Sequence, residues 1–96
     1  MIHELLSKGR ENTITGRYLS TVLNVTIRDA AEIIQRERKE GQPICARTGE
    51  NPGYYLAETK EEMLSYCKSL EHREKELHKT RLACLKTLKK LPDKAG

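Results

Sequence analysis

The apolar residues of this chain recur with a helical period in several separate segments. Residues 2–8 show this period first and end at Gly9, a residue type that commonly follows a helix. Residues 16–23 form the second predicted helix, with Thr15 placed to cap it. A third helix is predicted from Thr26 to about residue 40. The apolar positions expected on its inner face are Ile27, Ala30, Ala31 and Ile34.

Short alternating or β-branched segments predict the strands. Residues 13–15 are β-branched at each position and favour a small strand added to a sheet. Residues 43–46 and 54–57 predict a hairpin, because the segment between them is rich in turn-forming residues. Tyr54 and Leu56 are expected to face the core, whereas Tyr55 points the other way and is a candidate functional residue.

A long helix is predicted for the last third of the chain. No Gly or Pro occurs from residue 60 to residue 91, and Thr59 with Glu62 forms a T-x-x-E capping box. The predicted organisation is therefore a folded domain at 1–58, a helix for dimerisation at 59–91 and a disordered tail at 92–96. The fold class is mainly α, with a small β component (α+β).

The order of these elements resembles the winged helix-turn-helix family over residues 2–57. The segments that carry this resemblance are Thr15-Gly16-Arg17-Tyr18-Leu19, Leu23-Asn24-Val25-Thr26, Ala30, Ile34, Gly41 and Gly53-Tyr54-Tyr55-Leu56. Residues 37–45 are also similar to small DNA-binding proteins of phage and prophage. One residue departs from the pattern, since the family usually has an apolar side chain at the position of Glu37. Ile33 is a candidate to take over that packing.

The resemblance implies that the third helix enters the major groove of double-stranded DNA and that the hairpin is the wing. On the outer face of this helix, Arg28 suits guanine, Gln35 suits adenine and Glu32 can accept from cytosine. The helix N-terminus and the remaining basic residues suit phosphates. The predicted DNA-binding residues are Arg17, Thr26, Arg28, Glu32, Gln35, Arg36, Arg38, Lys39, Arg47 and Asn51.

The same helix allows a second interpretation. Its arginines can pair with the acidic residues among them, and Asp29 and Glu32 oppose a phosphate surface. The chain would then be a non-enzymatic protein-interaction module. Binding to DNA across a salt series separates the two interpretations.

A heptad pattern on the long helix predicts self-association. The seam consists of Met63, Cys67, Leu70, Glu74, Leu77, Arg81, Cys84, Leu88 and Leu91. In a parallel pair Glu74 and Arg81 each face their own copy, whereas an antiparallel pair crossing near Leu77 brings the two together. We therefore favour a homodimer with antiparallel helices. The alternative is a monomer in which the stripe folds back on the first domain.

Composition agrees with a small core completed by a partner. Of 96 residues, 36% are hydrophobic and 33% are charged, and the chain has neither Trp nor Phe, so its apolar residues cannot fill one large core. The net charge of +4 is spread almost evenly between the two halves. No nucleophile–base pair, carboxylate pair or phosphate-binding glycine loop is present, which argues against an enzyme.

Cysteine usage and targeting signals favour a reducing compartment. Cys45, Cys67 and Cys84 are odd in number and widely spaced, and no signal peptide or membrane-length apolar run is found. The chain lacks Cys-x-x-Cys and closely spaced His pairs, which argues against zinc. We therefore expect no cofactor, metal, membrane or small-molecule ligand, and a cytoplasmic location in a bacterial or phage-infected cell.

Overall fold

The computed structural model describes residues 1–93, which form an α+β fold with a long last helix. This part of the chain contains three α-helices and one antiparallel hairpin, preceded by two short 3-10 helices at Ile2–Leu5 and Arg10–Asn12. The principal elements are α1 (Gly16–Leu23), α2 (Ile27–Lys39), β1 (Ile44–Arg47), β2 (Gly53–Leu56) and α3 (Lys60–Leu88). Positions 94–96 of the predicted tail lie outside the described residues.

The first predicted helix is wrong in length, because only Ile2–Leu5 coil and they do so as a 3-10 helix. Leu6 is already extended, with φ −90° and ψ 148°. The backbone beyond it bonds to the end of β2 instead: the N–H of Leu56 donates to Ser7 O at 2.9 Å, and the N–H of Gly9 donates to Leu56 O at 2.9 Å. These tertiary hydrogen bonds replace the helical ones that residues 6–8 would otherwise form.

The hairpin and the predicted short strand are present. β1 pairs with β2 in antiparallel register, with Cys45 opposite Tyr55. Ile14 forms a bridge to Tyr54 on the other edge of β2, with both backbone hydrogen bonds at 2.8 Å. The predicted strand at 13–15 is thus reduced to a single bridging residue.

The two faces of the hairpin take part in different clusters. Ile44 on one face joins the main core, whose other buried members are Ile2, Leu6, Leu19, Ala30 and Ile34. Tyr54 and Leu56 pack against this core, as predicted. On the opposite face Cys45 and Tyr55 are buried with Tyr66, and Met63 packs beside them. Tyr55 is therefore a packing residue of this second cluster.

One residue expected on the inner face of α2 is not there. Ile27 is 54% exposed, whereas Ala30 and Ile34 are each 1% exposed. Ile27 is the first residue of α2 and lies at the margin of the buried stripe, where fewer neighbours cover it. The inner stripe continues instead to Glu37, which is buried.

The chain divides into two compact units between Tyr66 and Cys67. The first unit contains both buried clusters and includes the first turns of α3. In the second unit every side chain from Cys67 to Asp93 is exposed. Among the described residues, none of the helices is both long and apolar enough to cross a membrane.

Candidate nucleic-acid interface

Two side-chain caps fix the helix–turn–helix part of the first unit. Thr15 Oγ1 accepts a hydrogen bond from Tyr18 N at 3.1 Å and begins α1. Thr26 Oγ1 accepts from Asp29 N at 3.0 Å and begins α2. Both threonines act as the sequence predicts, since a hydroxyl satisfies a backbone donor that the first turn leaves unpaired.

The turn between the helices is also fixed by local contacts. Asn24 ends α1 in the left-handed conformation, with φ 55° and ψ 47°, a region that Asn tolerates better than most residues. The hydroxyl of Ser20 donates to Val25 O at 2.5 Å. Only Asn24, Val25 and Thr26 separate the helices, so α1 holds the N-terminus of α2 in a defined place.

The outer face of α2 presents a polar stripe opposite its buried face. Its members are spaced by three or four residues and therefore follow one side of the helix. All are exposed, and 89% of the Arg28 side chain is accessible. The stripe consists of Arg28, Glu32, Gln35 and Lys39, with Arg36 beside it.

An ion pair lies within this stripe. Arg28 Nε is 3.7 Å from Glu32 Oε1, one helical turn away, and both side chains are largely exposed. Such a pair contributes little to stability, because water screens it. Both groups therefore remain available for hydrogen bonds to another molecule at small energetic cost.

The other predicted contact residues are divided between open and enclosed positions. Arg17 and Thr26 are exposed beside the start of their helices, and Asn51 is exposed in the hairpin loop with φ 53°. Arg47 is half-buried at the end of β1. The structure brings Arg17, Thr26 and the α2 stripe onto one helix–turn–helix motif.

Arg38 has a different environment. Its Nε donates to Ile44 O at 2.8 Å, and its guanidinium carbon lies 4.8 Å from the centre of the Tyr66 ring. The side chain thus links α2, β1 and the start of α3 through a hydrogen bond and a cation–π contact. We leave Arg38 out of the proposed interface for this reason.

Glu37 is the principal polar residue whose role sequence reasoning did not identify. Its side chain is 1% exposed. Its carboxylate accepts from the backbone N–H groups of Ile2 and His3, each at 2.9 Å, and lies 2.5 Å from His3 Nδ1. Burial raises the pKa of this carboxyl, but these bonds from His3 and Ile2 outweigh it and leave the pKa below its ordinary value.

A second set of candidate side chains lies on α3. The predicted seam residues from Cys67 onward are exposed, and Leu77 is 70% accessible. The helix is shorter than predicted, because α3 ends at Leu88 and the last seam residue, Leu91, lies beyond it. Met63 differs, because it packs in the second cluster, where the Cys45 thiol donates to its Sδ at 3.8 Å.

Four lysines of α3 follow the side of the helix opposite the seam: Lys68, Lys75, Lys79 and Lys86. Lys89 and Lys90 come directly after the helix.

Charge is divided unevenly between the two units. Residues 1–66 contain nine Lys and Arg against ten Asp and Glu, whereas residues 67–96 contain nine against four. The positive excess of the chain therefore belongs to the second unit. In the first unit, any attraction for an anion is confined to local groups such as Arg28, Arg36 and Lys39.

Comparisons with known proteins add no relative. The chain matches no protein-family model, and no characterised protein or solved structure is significantly similar to it.

Proposed function

We propose that the first unit is a winged helix-turn-helix domain and that the chain binds double-stranded DNA sequence-specifically as a dimer. A protein with this activity serves as a transcriptional regulator or as a phage accessory protein. The observation that carries the proposal is the polar stripe on α2, held directly after α1 by a three-residue connection and lying opposite the buried face. An α-helix of this kind fits the major groove.

The chemistry of the stripe suits base edges and phosphates together. Arg28 can donate two hydrogen bonds to guanine, and Gln35 can pair with adenine. Glu32, adjacent to Arg28, can accept from the amino group of cytosine. Arg17 and the N-terminus of α2 at Thr26 offer donors to the phosphate backbone.

The second unit supplies what the first unit lacks. The first unit has no net positive charge, so its attraction to DNA depends on a few arginines and lysines. The lysine-bearing side of α3 can add contacts with phosphates that do not depend on sequence. Self-association through the seam doubles the contacts from α2 and from the lysines of α3, and it places two copies of α2 in one dimer.

The test is a binding titration with the full chain. Selection from a random DNA pool should yield a preferred sequence, and affinity for it should fall steeply as salt increases. Replacing both Arg28 and Arg36 with alanine should reduce affinity at least tenfold, since a good bidentate contact alone contributes about 1–3 kcal/mol of discrimination. Lys8→Ala combined with Lys60→Ala is the charge-matched control, since it removes two exposed lysines outside the stripe, and it should bind as the wild type does. No binding of any DNA at low salt would contradict the proposal.

A protein-interaction module is the second candidate, and the Arg28–Glu32 pair favours it. Alternating charge on an exposed helix face complements a mixed-charge protein surface better than a uniformly negative backbone. In that case the wild type would not bind DNA at any salt concentration, or the double variant would bind DNA as the wild type does.

A further inference from the structure

The apolar seam of α3 determines how a second copy of this chain can pair with it. We propose that two copies associate through α3 as antiparallel helices in a single register, in which Cys67 of each copy faces Cys84 of the other. This proposal rests on the self-association in the proposed function, but it does not depend on DNA binding. In this register the two helices cross between Lys75 and Glu76, rather than at Leu77.

The heptad positions give the first step of the argument. Cys67, Glu74, Arg81 and Leu88 occupy one core position of the repeat, and Leu70, Leu77 and Cys84 occupy the other. In an antiparallel pair, residues of the first core position face residues of the second. Setting Cys67 against Cys84 places Glu74 opposite Leu77 and Leu70 opposite Arg81. Arg81 then lies one turn from Glu74 of the second copy, within reach of its long side chain.

The flanking positions select this register. The heptad position directly after the second core position is occupied by Leu64, Glu71, His78 and Leu85. In an antiparallel pair, residues at this position in one copy face residues at the same position in the other copy. Here Leu64 faces Leu85, and Glu71 faces His78. Leu64 and Leu85 are exposed in the single chain, at 56% and 43%, so their mutual burial is gained only on pairing. The pair of Glu71 and His78 is also complementary, because an imidazole N–H can donate a hydrogen bond to a carboxylate.

Neighbouring registers fit worse. A shift of one heptad in one direction sets Cys84 against Glu74 and Leu85 against Glu71. A shift in the other direction sets Leu64 against His78 and Glu71 against its own copy. The proposed register also sets Glu74 and Arg81 against apolar core residues, so the flanking positions decide between the registers. Each shift sets a flanking leucine against Glu71 or His78, whereas the proposed register pairs Leu64 with Leu85.

A parallel pair also fits worse. Glu74 would face Glu74, and Arg81 would face Arg81, so like charges would meet at two layers of the seam. The flanking residue His78 would face Arg73, and Leu85 would face Thr80. The antiparallel register removes all four of these unfavourable pairings.

The native cysteines provide the test, because Cys67 and Cys84 are exposed and Cys45 is buried. Along one helix Cys67 and Cys84 are about 26 Å apart at 1.5 Å per residue. A short bismaleimide therefore cannot join them within one chain. In the proposed dimer it should link Cys67 of one copy to Cys84 of the other, as identified by mass spectrometry of the linked peptides.

Single variants separate the arrangements. Cys67→Ser and Cys84→Ser should each give at least tenfold less cross-linked dimer than the wild type, and an equimolar mixture of the two should restore cross-linking. A parallel pair would instead cross-link in each single variant, which would overturn the register. Sedimentation equilibrium of the uncross-linked protein gives the independent control. A monomer at all concentrations would overturn the self-association itself. DNA selection, together with the variant in which Arg28 and Arg36 are alanine, tests DNA binding separately.

Discussion

Glu37 is the residue that attaches the N-terminal segment to α2. Its carboxylate receives two backbone N–H groups and the ring of His3, all from residues about 35 positions away in the chain. A buried carboxylate is tolerated only where its hydrogen-bonding capacity is used. Glu37 thus fills a core position with a polar group that also satisfies donors the short 3-10 helix leaves unpaired.

Replacing Glu37 with leucine should destabilise the first unit although leucine is apolar and of similar size. The N–H groups of Ile2 and His3 would lose their acceptor, and we expect a loss of about 2–3 kcal/mol in the free energy of unfolding. Urea denaturation followed by circular dichroism measures it. Glu40→Gln, an exposed change at the end of the same helix, should stay within about 0.5 kcal/mol of the wild type. Equal stability of the Glu37→Leu variant would show that these hydrogen bonds contribute nothing net.

Because the pKa of Glu37 is lowered in the folded state, the stability of the first unit should decrease at acid pH. Because the folded-state pKa lies below the ordinary value of 4.5, the carboxylate contributes stability above that value and loses it as the pH falls through the folded-state pKa. Between pH 6 and pH 3 the wild type should therefore lose more stability than Glu37→Gln does. Denaturation curves at both pH values give the comparison. An identical loss in both proteins would assign the acid sensitivity to other carboxyls such as Glu4 and Glu62, whose pKa values are also lowered.

At the scale of elements, local signals were predictable and long-range partners were not. Thr15 and Thr26 cap their helices as predicted, and Thr59 Oγ1 accepts from Glu62 N at 3.1 Å at the start of α3, because capping depends on residues three positions apart. The first helix was mispredicted because residues 7–9 bond to β2, a partner that periodicity does not report. The role of Glu37 was missed for the same reason, because its partners Ile2 and His3 are distant in the sequence. In the candidate site, the outer stripe of α2 follows from its period, whereas the half-buried position of Arg38 depends on Tyr66.

The backbone of β2 approaches Ile14 closely at Gly53. Gly53 has φ +153°, and a Cβ at this position would overlap the carbonyl oxygen of Ile14. Gly53→Ala should therefore separate β2 from Ile14 and cost about 2 kcal/mol or more of stability. Gly49→Ala is the matched control, since Gly49 also has positive φ but nothing within 4 Å of its added Cβ. Thermal unfolding of both variants tests this, and equal melting temperatures would contradict a steric origin.

At the scale of the whole molecule, the two units are built on different principles. The first has two buried clusters, a fixed helix–turn–helix connection and no net positive charge. The second has exposed side chains throughout its described length and carries the positive excess. Sequence composition predicted a small core with an extended helix. The separation of charge between the units depends on where the chain is divided, because two halves of equal length carry nearly the same excess whereas units divided after Tyr66 do not.

The exposure of α3 beyond Cys67 has a consequence for the exchange of its backbone amide protons with solvent. An isolated helix is only marginally stable in water, so the proposed pairing would protect these amides in proportion to the fraction of chains that are paired. Their exchange should slow as protein concentration rises, whereas amides around Leu19 and Ile34 should exchange at a constant rate. The two units of one small chain would thus report separately, in a single measurement, on association and on folding.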